Sequence, residues 1–186
     1  MASFLYYVKI DWYIYNYRSG SGVYMDSIQT HKLMNYMRGT YKVLENEWQK
    51  NAREIGLTQA EQHVMWIVYL ENELTITRIS EIGLWDVSTV MQVLKRLKNK
   101  SFVKLEKKAN DRRVSYVSLT DEGLEKVDDS TQYSYSVMRY LDEYRHESEE
   151  NAAFLKQMYQ FQLDFNKHFH GSEFVNWVEK QKLPMR

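Results

Sequence analysis

Hydrophobic positions between Asp26 and about Ile55 recur at helical spacing. Ile28, Leu33, Met37, Tyr41, Leu44 and Trp48 stand three to five residues apart, which predicts one long amphipathic helix. Gly56 falls where a C-terminal glycine belongs, and Thr58 followed by Glu61 is a capping-box pattern for a second helix, Gln59 to about Leu70, that buries Val64, Ile67 and Val68. A third, short helix is expected over about Thr77 to Ile82, capped by Thr75 or Thr77 and ended by Gly83. Beyond the tight turn Gly83-Leu84-Trp85, Asp86 or Ser88 caps a fourth helix that runs to about Lys100.

After Lys100 the period changes to two. Phe102, Lys104 and Glu106 alternate with Val103, Leu105 and Lys107, and Val114, Tyr116 and Ser118 alternate with Ser115, Val117 and Leu119, a β-hairpin with the polar tip 108–113. Thr120-Asp121-Glu122-Gly123 restarts helix to about Arg145, and a further helix covers about Glu149 to His168. Gly171-Ser172 punctuates, and a short helix follows from Glu173 to about Gln181. The predicted fold is mainly α with a small β-hairpin wing: a winged helix-turn-helix joined to a helical dimerisation region. Its expected divisions are an N-terminal extension (1–24), a dimerisation helix (25–57), the winged domain (58–123) and a C-terminal helical dimerisation region (124–186).

Composition narrows the chemistry. With no Cys among 186 residues, disulfides, thiolate-bound zinc, iron–sulfur clusters and thiol catalysis are excluded. No apolar run approaches the roughly 18 to 20 residues of a membrane span, which predicts a soluble, cytoplasmic chain with no membrane partner. Residues 1–24 hold eight aromatics and end in Ser19-Gly20-Ser21-Gly22, a flexible joint. Their composition fits an accessory arm and a segment extraneous to the domain equally well. Lys9, Asp11 and Asn16 break their apolar stretch, against an export signal.

In a winged helix-turn-helix the second helix enters the major groove and the hairpin reaches the flanking minor groove. On the helix that begins at Asp86, about 100° per residue puts Val90, Val93, Leu94 and Leu97 on one face. Ser88, Gln92, Lys95 and Asn99 lie opposite, with Thr89 and Arg96 on the flanks. Hydroxyls, amides and cations are the groups that pair with base edges and phosphates. The whole chain balances 25 Lys and Arg against 25 Asp and Glu, yet residues 86–120 carry nine bases and three acids, a local +6. Residues 121–160 carry ten acids and four bases, a local −6, so one side can meet phosphate while the other repels it.

The stretch from Asn110-Asp111-Arg112-Arg113 to Leu119-Thr120-Asp121-Glu122-Gly123 resembles the wing of the MarR family, whose pattern is D-x-R, an alternating strand and L-T-x-x-G. Ile79-Ser80-Glu81-Ile82, Val87-Ser88-Thr89-Val90 and Lys95-Arg96-Leu97 fall where that family has its helix-turn-helix. Residues 61–69, Val87-Ser88-Thr89 and Asn110-Asp111 are most similar to its Hpr (ScoC) branch. The resemblance implies a homodimeric regulator, usually a repressor, on an imperfect palindrome of double-stranded DNA. It implies DNA contacts from Ser88, Thr89, Gln92, Lys95, Arg96, Lys108, Arg112 and Arg113. Arg113 would enter the minor groove, and Asp111 would steady it and the wing. Two departures stand out. Gln92 replaces an arginine of many relatives, favouring adenine over guanine, and Ser101 replaces a glycine before the first wing strand.

Dimerisation is assigned to the stripe Phe154, Met158, Phe161, Phe165 and Phe169, together with Leu33, Met37, Leu44 and Trp48, more apolar surface than a small winged core uses. Family members often bind a small-molecule effector. Trp66, Tyr69 and Trp85 are better explained by core packing, however, and no obligatory cofactor is expected. His168-Phe169-His170 does not put two His on one helical face, so no metal site is expected, and His63 reads as a core or interface residue. With no phosphate loop and no G-x-S-x-G, an enzyme is not expected. The competing class is a winged-helix protein-interaction module or antirepressor that binds no operator.

Overall fold

The computed structural model describes residues 26–108 and 111–180, with the backbone alone at 108, 111 and 112. The chain divides into two units between Val43 and Leu44, inside helix α1, Ser27–Glu54. In the first unit α1 opens on Asp26, whose Oδ1 accepts the Gln29 N–H at 2.7 Å, and it leaves Leu33, Met34, Tyr36 and Met37 exposed.

The second unit holds the winged domain. At the end of α1, Gly56 takes φ 76°, Leu57 N–H bonds to Ala52 O at 2.8 Å and Gly56 N–H to Arg53 O at 3.0 Å. This is the Schellman closure predicted from Gly56, and it drops Leu57 into the core. The Thr58 hydroxyl accepts the Glu61 N–H at 3.2 Å while Glu61 Oε2 accepts the Thr58 N–H at 2.8 Å, the expected capping box of α2, Gln59–Glu71. Helix α3, Ile76–Gly83, is capped by Thr75. Helix α4, Val87–Asn99, is capped by Asp86 and buries Val90, Val93, Leu94 and Leu97. These side chains pack with Val64, Ile67, Val68 and Ile79.

Three local expectations need correcting. Gly83 is the last residue of α3, as expected, but it is not the left-handed cap. Leu84 takes the left-handed conformation instead (φ 55°), while Gly83 stays helical and, lacking a Cβ, leaves room for the Trp85 ring, from which a Cβ there would lie 2.7 Å. A short strand β1, Leu74–Thr75, was not predicted, since two residues carry no periodicity. It makes the hairpin of β2, Val103–Lys108, and β3, Asp111–Leu119, into an antiparallel sheet of order β1-β3-β2. The helix expected from Thr120 to Arg145 is broken into α5, Asp121–Asp129, a 3₁₀ turn, Ser130–Gln132, and α6, Ser136–Glu147.

Hydroxyls cause that break. Ser130 Oγ donates to Val127 O at 2.6 Å and accepts Trp66 Nε1–H at 2.9 Å, while Thr131 Oγ1 donates to Asp128 O at 2.8 Å. Glu47 of α1 then accepts the Ser136 and Val137 N–H groups and so caps α6 from outside. The last helical run, α7, Glu149–Lys180, is interrupted at Gly171 (φ 85°, ψ 167°), as the glycine predicted. Among the described residues no helix is long and apolar enough to cross a membrane.

Candidate nucleic-acid interface

The wing and α4 are joined by two backbone devices. Ser101 adopts φ 63°, and its N–H and that of Phe102 close the end of α4 onto Lys98 O (3.0 Å) and Leu97 O (3.0 Å). The residue that replaces glycine thus keeps the left-handed turn. At the far end of β3, Thr120 donates its hydroxyl to Ser101 O at 2.6 Å, its N–H to Phe102 O at 3.1 Å, and accepts the Gly123 N–H at 3.0 Å. A Cβ on Gly123 would sit 2.1 Å from Phe102 O, so the L-T-x-x-G pattern encodes a close contact between α5 and the root of the wing.

On α4, Ser88, Gln92 and Lys95 are exposed on the face opposite the core, as the helical period requires. Asp86 draws the first two hydroxyls of this helix toward itself. Ser88 Oγ bonds to Asp86 Oδ1, and Thr89 donates its hydroxyl to Oδ2 at 2.7 Å and its N–H to Oδ1 at 2.8 Å. The hydrogen bonds from Ser88 and Thr89 hold the Asp86 carboxyl well below the usual carboxylate range. Both hydroxyls keep acceptor lone pairs, while the exposed Gln92 amide offers a donor and an acceptor side by side.

Arg96 points elsewhere. Its Nε donates to Glu61 Oε1 at 3.1 Å, and Lys100 Nζ donates to Glu61 Oε2 at 2.9 Å and to Gly56 O at 2.9 Å. Burial pushes the Glu61 carboxyl up, but the bonds from Thr58 N–H, Lys100 and Arg96 outweigh burial and leave it below its ordinary value. Glu61 is visible in the sequence only as a cap. Its partners lie 35 and 39 residues away, beyond any local signal.

On the wing, Arg113 is exposed on β3, and Lys104 lies 3.8 Å from Glu106 across exposed surface. The hairpin register pairs Val103 with Leu119 and Leu105 with Val117, with a bulge between Lys107 and Lys108. The side chains of Lys108, Asp111 and Arg112, and all of residues 1–25, 109–110 and 181–186, lie outside the described residues.

The remaining sequence candidates sort clearly. Trp66, Tyr69 and Trp85 pack against the core. Trp48, expected at a dimer face, instead lies 5.0 Å from the His63 ring and donates Nε1–H to Gln62 at 2.8 Å. His63 is held between Trp48 and Trp85, and burial lowers its pKa to about 4. Phe154, Met158, Phe161, Phe165 and Phe169 are exposed, as are Leu33 and Met37. Among the described residues no three His, Asp or Glu stand where they could hold a metal ion.

Residues 48–130 match the family model described as transcriptional regulator SarA/Rot. The chain is 28% identical over 152 residues to the HTH-type transcriptional regulator Hpr of Shouchella clausii, covering 78% of this chain and 74% of that protein. It is 33% identical over 96 residues to the DNA-binding transcriptional repressor ScoC of Bacillus subtilis, covering 52% of this chain and 47% of that one. Among solved structures, a putative MarR-like transcription regulator from Bacillus cereus superposes with TM-score 0.60 at 20% identity over 77% of this chain and 99% of its own. A mutant MarR from E. coli complexed with operator DNA gives TM-score 0.57 at 17% identity over 71% and 96%.

Proposed function

We propose that this chain is a MarR-family winged helix-turn-helix transcriptional regulator of the Hpr branch, to whose Hpr and ScoC members it is similar, and that it acts as a homodimeric, cytoplasmic repressor on an imperfect palindrome of double-stranded DNA. The observation that carries the reading is a coincidence. The segment of local +6 charge, residues 86–120, is the one that folds into the exposed face of α4 and the wing. In this reading Ser88, Thr89, Gln92 and Lys95 of α4 address the major groove, and Lys108, Arg112 and Arg113 address the flanking minor groove and phosphates, with Asp111 steadying the wing. Arg96 serves phosphate through its terminal nitrogens, because its Nε is committed to Glu61.

The dimer is assigned to the exposed stripe Phe154, Met158, Phe161 and Phe165 and to Leu33 and Met37, which would otherwise leave large apolar side chains in water. The division into a winged domain, 58–123, flanked by dimerisation helices, 25–57 and 124–186, belongs to the same reading. Duplex binding measured across salt concentration tests it. A steep loss of affinity with salt is expected, and weak, salt-independent binding returns the module to protein docking. Sedimentation checks the dimer, and a monomer at micromolar concentration that still binds DNA removes that assignment.

A further inference from the structure

Two exposed apolar side chains on α4 have no part in the reading above. Val87 and Met91 are 43% and 56% exposed, although the other large apolar residues of this helix, Val90, Val93, Leu94 and Leu97, are all buried. They stand four apart, so they share one flank of the outward face, and about 100° per residue places Lys98 on that same flank. Ser88, Gln92 and Lys95 follow the adjacent row. The row is therefore apolar over the first turn and a half of the helix and cationic at its C-terminal end.

We propose that Val87 and Met91 are specificity-determining residues that pack against thymine C5-methyl groups in the major groove. The inference rests on the DNA reading above. The first turns of a helix in this position are the ones that approach base edges, and the thymine methyl is the apolar group that the four bases present there. Lys98 on the same row and Lys95 beside it supply the charge that a phosphate backbone complements. A second copy of this face would instead set those lysines against their own counterparts. Gln92, next in sequence to Met91, is the amide suited to adenine. Together they make an A/T-reading surface in which the amide takes the purine and the thioether and valine methyls take the pyrimidines.

The test uses the full-length protein and duplexes selected from a random pool. Each thymine of a selected duplex is replaced in turn by uracil, which removes the methyl and leaves the pairing edge intact. At one or more positions per half-site, uracil should weaken binding by about fourfold, the factor expected for one buried methyl-sized group. Met91→Ala should abolish the thymine-over-uracil preference at such a position without changing affinity for random duplex, and Met91→Leu should retain it. Both substitutions are at an exposed site, and circular dichroism checks that the fold is kept. Selection of a defined duplex whose every thymine tolerates uracil overturns this inference alone. Failure to enrich any duplex overturns the DNA reading, and this inference with it.

Discussion

Arg96 Nε lies 3.1 Å from Oε1 of Glu61, so a cation of α4 is fastened to a carboxylate buried in α2. Lys100 holds the other oxygen at 2.9 Å, and the same oxygen closes the capping box on Thr58. One carboxylate thus ends the α1–α2 turn and sets the orientation of α4. Burying it is tolerable because each oxygen has a charged donor.

Glu61→Gln keeps a side chain able to cap at this helix position but leaves Arg96 and Lys100 without a counter-charge. It should cost about 1–3 kcal/mol, below the roughly 3–5 of a fully buried pair, because both cations retain access to water. Urea denaturation measures this. The Glu61 pKa is lowered in the fold, so its stabilisation is present above the ordinary glutamate range and is lost as pH falls through the folded value. The variant should have a flatter stability profile below about pH 4.5. An unchanged acid limb would remove Glu61 as its source.

His63 produces a second, separable pH dependence. Between Trp48 and Trp85 its pKa is lowered from 6.5 to about 4, so the unfolded chain binds more protons across that interval. Stability is therefore full above pH 6.5 and declines as pH falls toward 4. The loss should amount to about 2–3 kcal/mol, allowing for partial return through cation–π contact with the indoles. His63→Gln should abolish the decline between those limits, as followed by thermal melts at stepped pH. A decline of equal size in the variant assigns it elsewhere.

Ser101 holds a left-handed conformation that glycine adopts freely (φ 63°). Ser101→Gly removes that strain and adds unfolded-state entropy, so a net gain of about 0.5–1 kcal/mol is expected. Chemical denaturation should show a higher midpoint at unchanged slope. A loss of stability would mean that the serine side chain contributes more than its backbone strain removes.

Helix ends were legible wherever a signal sits within three residues of its target: Thr58 and Glu61, Asp86 and Thr89, Gly56 after α1, Gly171 within α7. The hairpin and the buried face of α4 followed from periods of two and 3.6. Long-range partners were not legible. Glu47 caps the start of a helix 89 residues away, and Ser130, where the preceding helix stops, bonds to Trp66 across 64, so helix-favouring residues over 121–145 concealed a break that tertiary contacts support. Trp48 satisfied the spacing of a surface stripe but turned inward to His63, because one helical repeat cannot say which neighbour covers it. Of the candidate interface, the polar row Ser88, Gln92 and Lys95 on the outward face of α4 was legible, whereas the exposed Val87 and Met91 beside it were not. The commitment of Arg96 and Lys100 to Glu61 was not.

Reading and positioning should separate in mutants of the proposed interface. Arg113, exposed on the wing strand, should approach phosphates and the narrow minor groove. Arg113→Ala should then weaken all duplexes, lower the salt slope by about one and remove the preference for A/T-rich flanks. Asp111→Ala should follow the same pattern if its carboxylate directs that arginine. Gln92→Ala should differ in kind. An exposed amide that pairs with adenine contributes only where adenine stands, so its loss should cost about 1–3 kcal/mol on the selected operator and leave random-sequence affinity nearly unchanged. Fluorescence anisotropy on selected and scrambled duplexes at several salt concentrations measures both effects. The fold should survive, since Gln92 and Arg113 are at the surface. If Gln92→Ala and Arg113→Ala weaken both duplexes by the same factor, α4 is not the reading helix, even for a chain that still binds DNA.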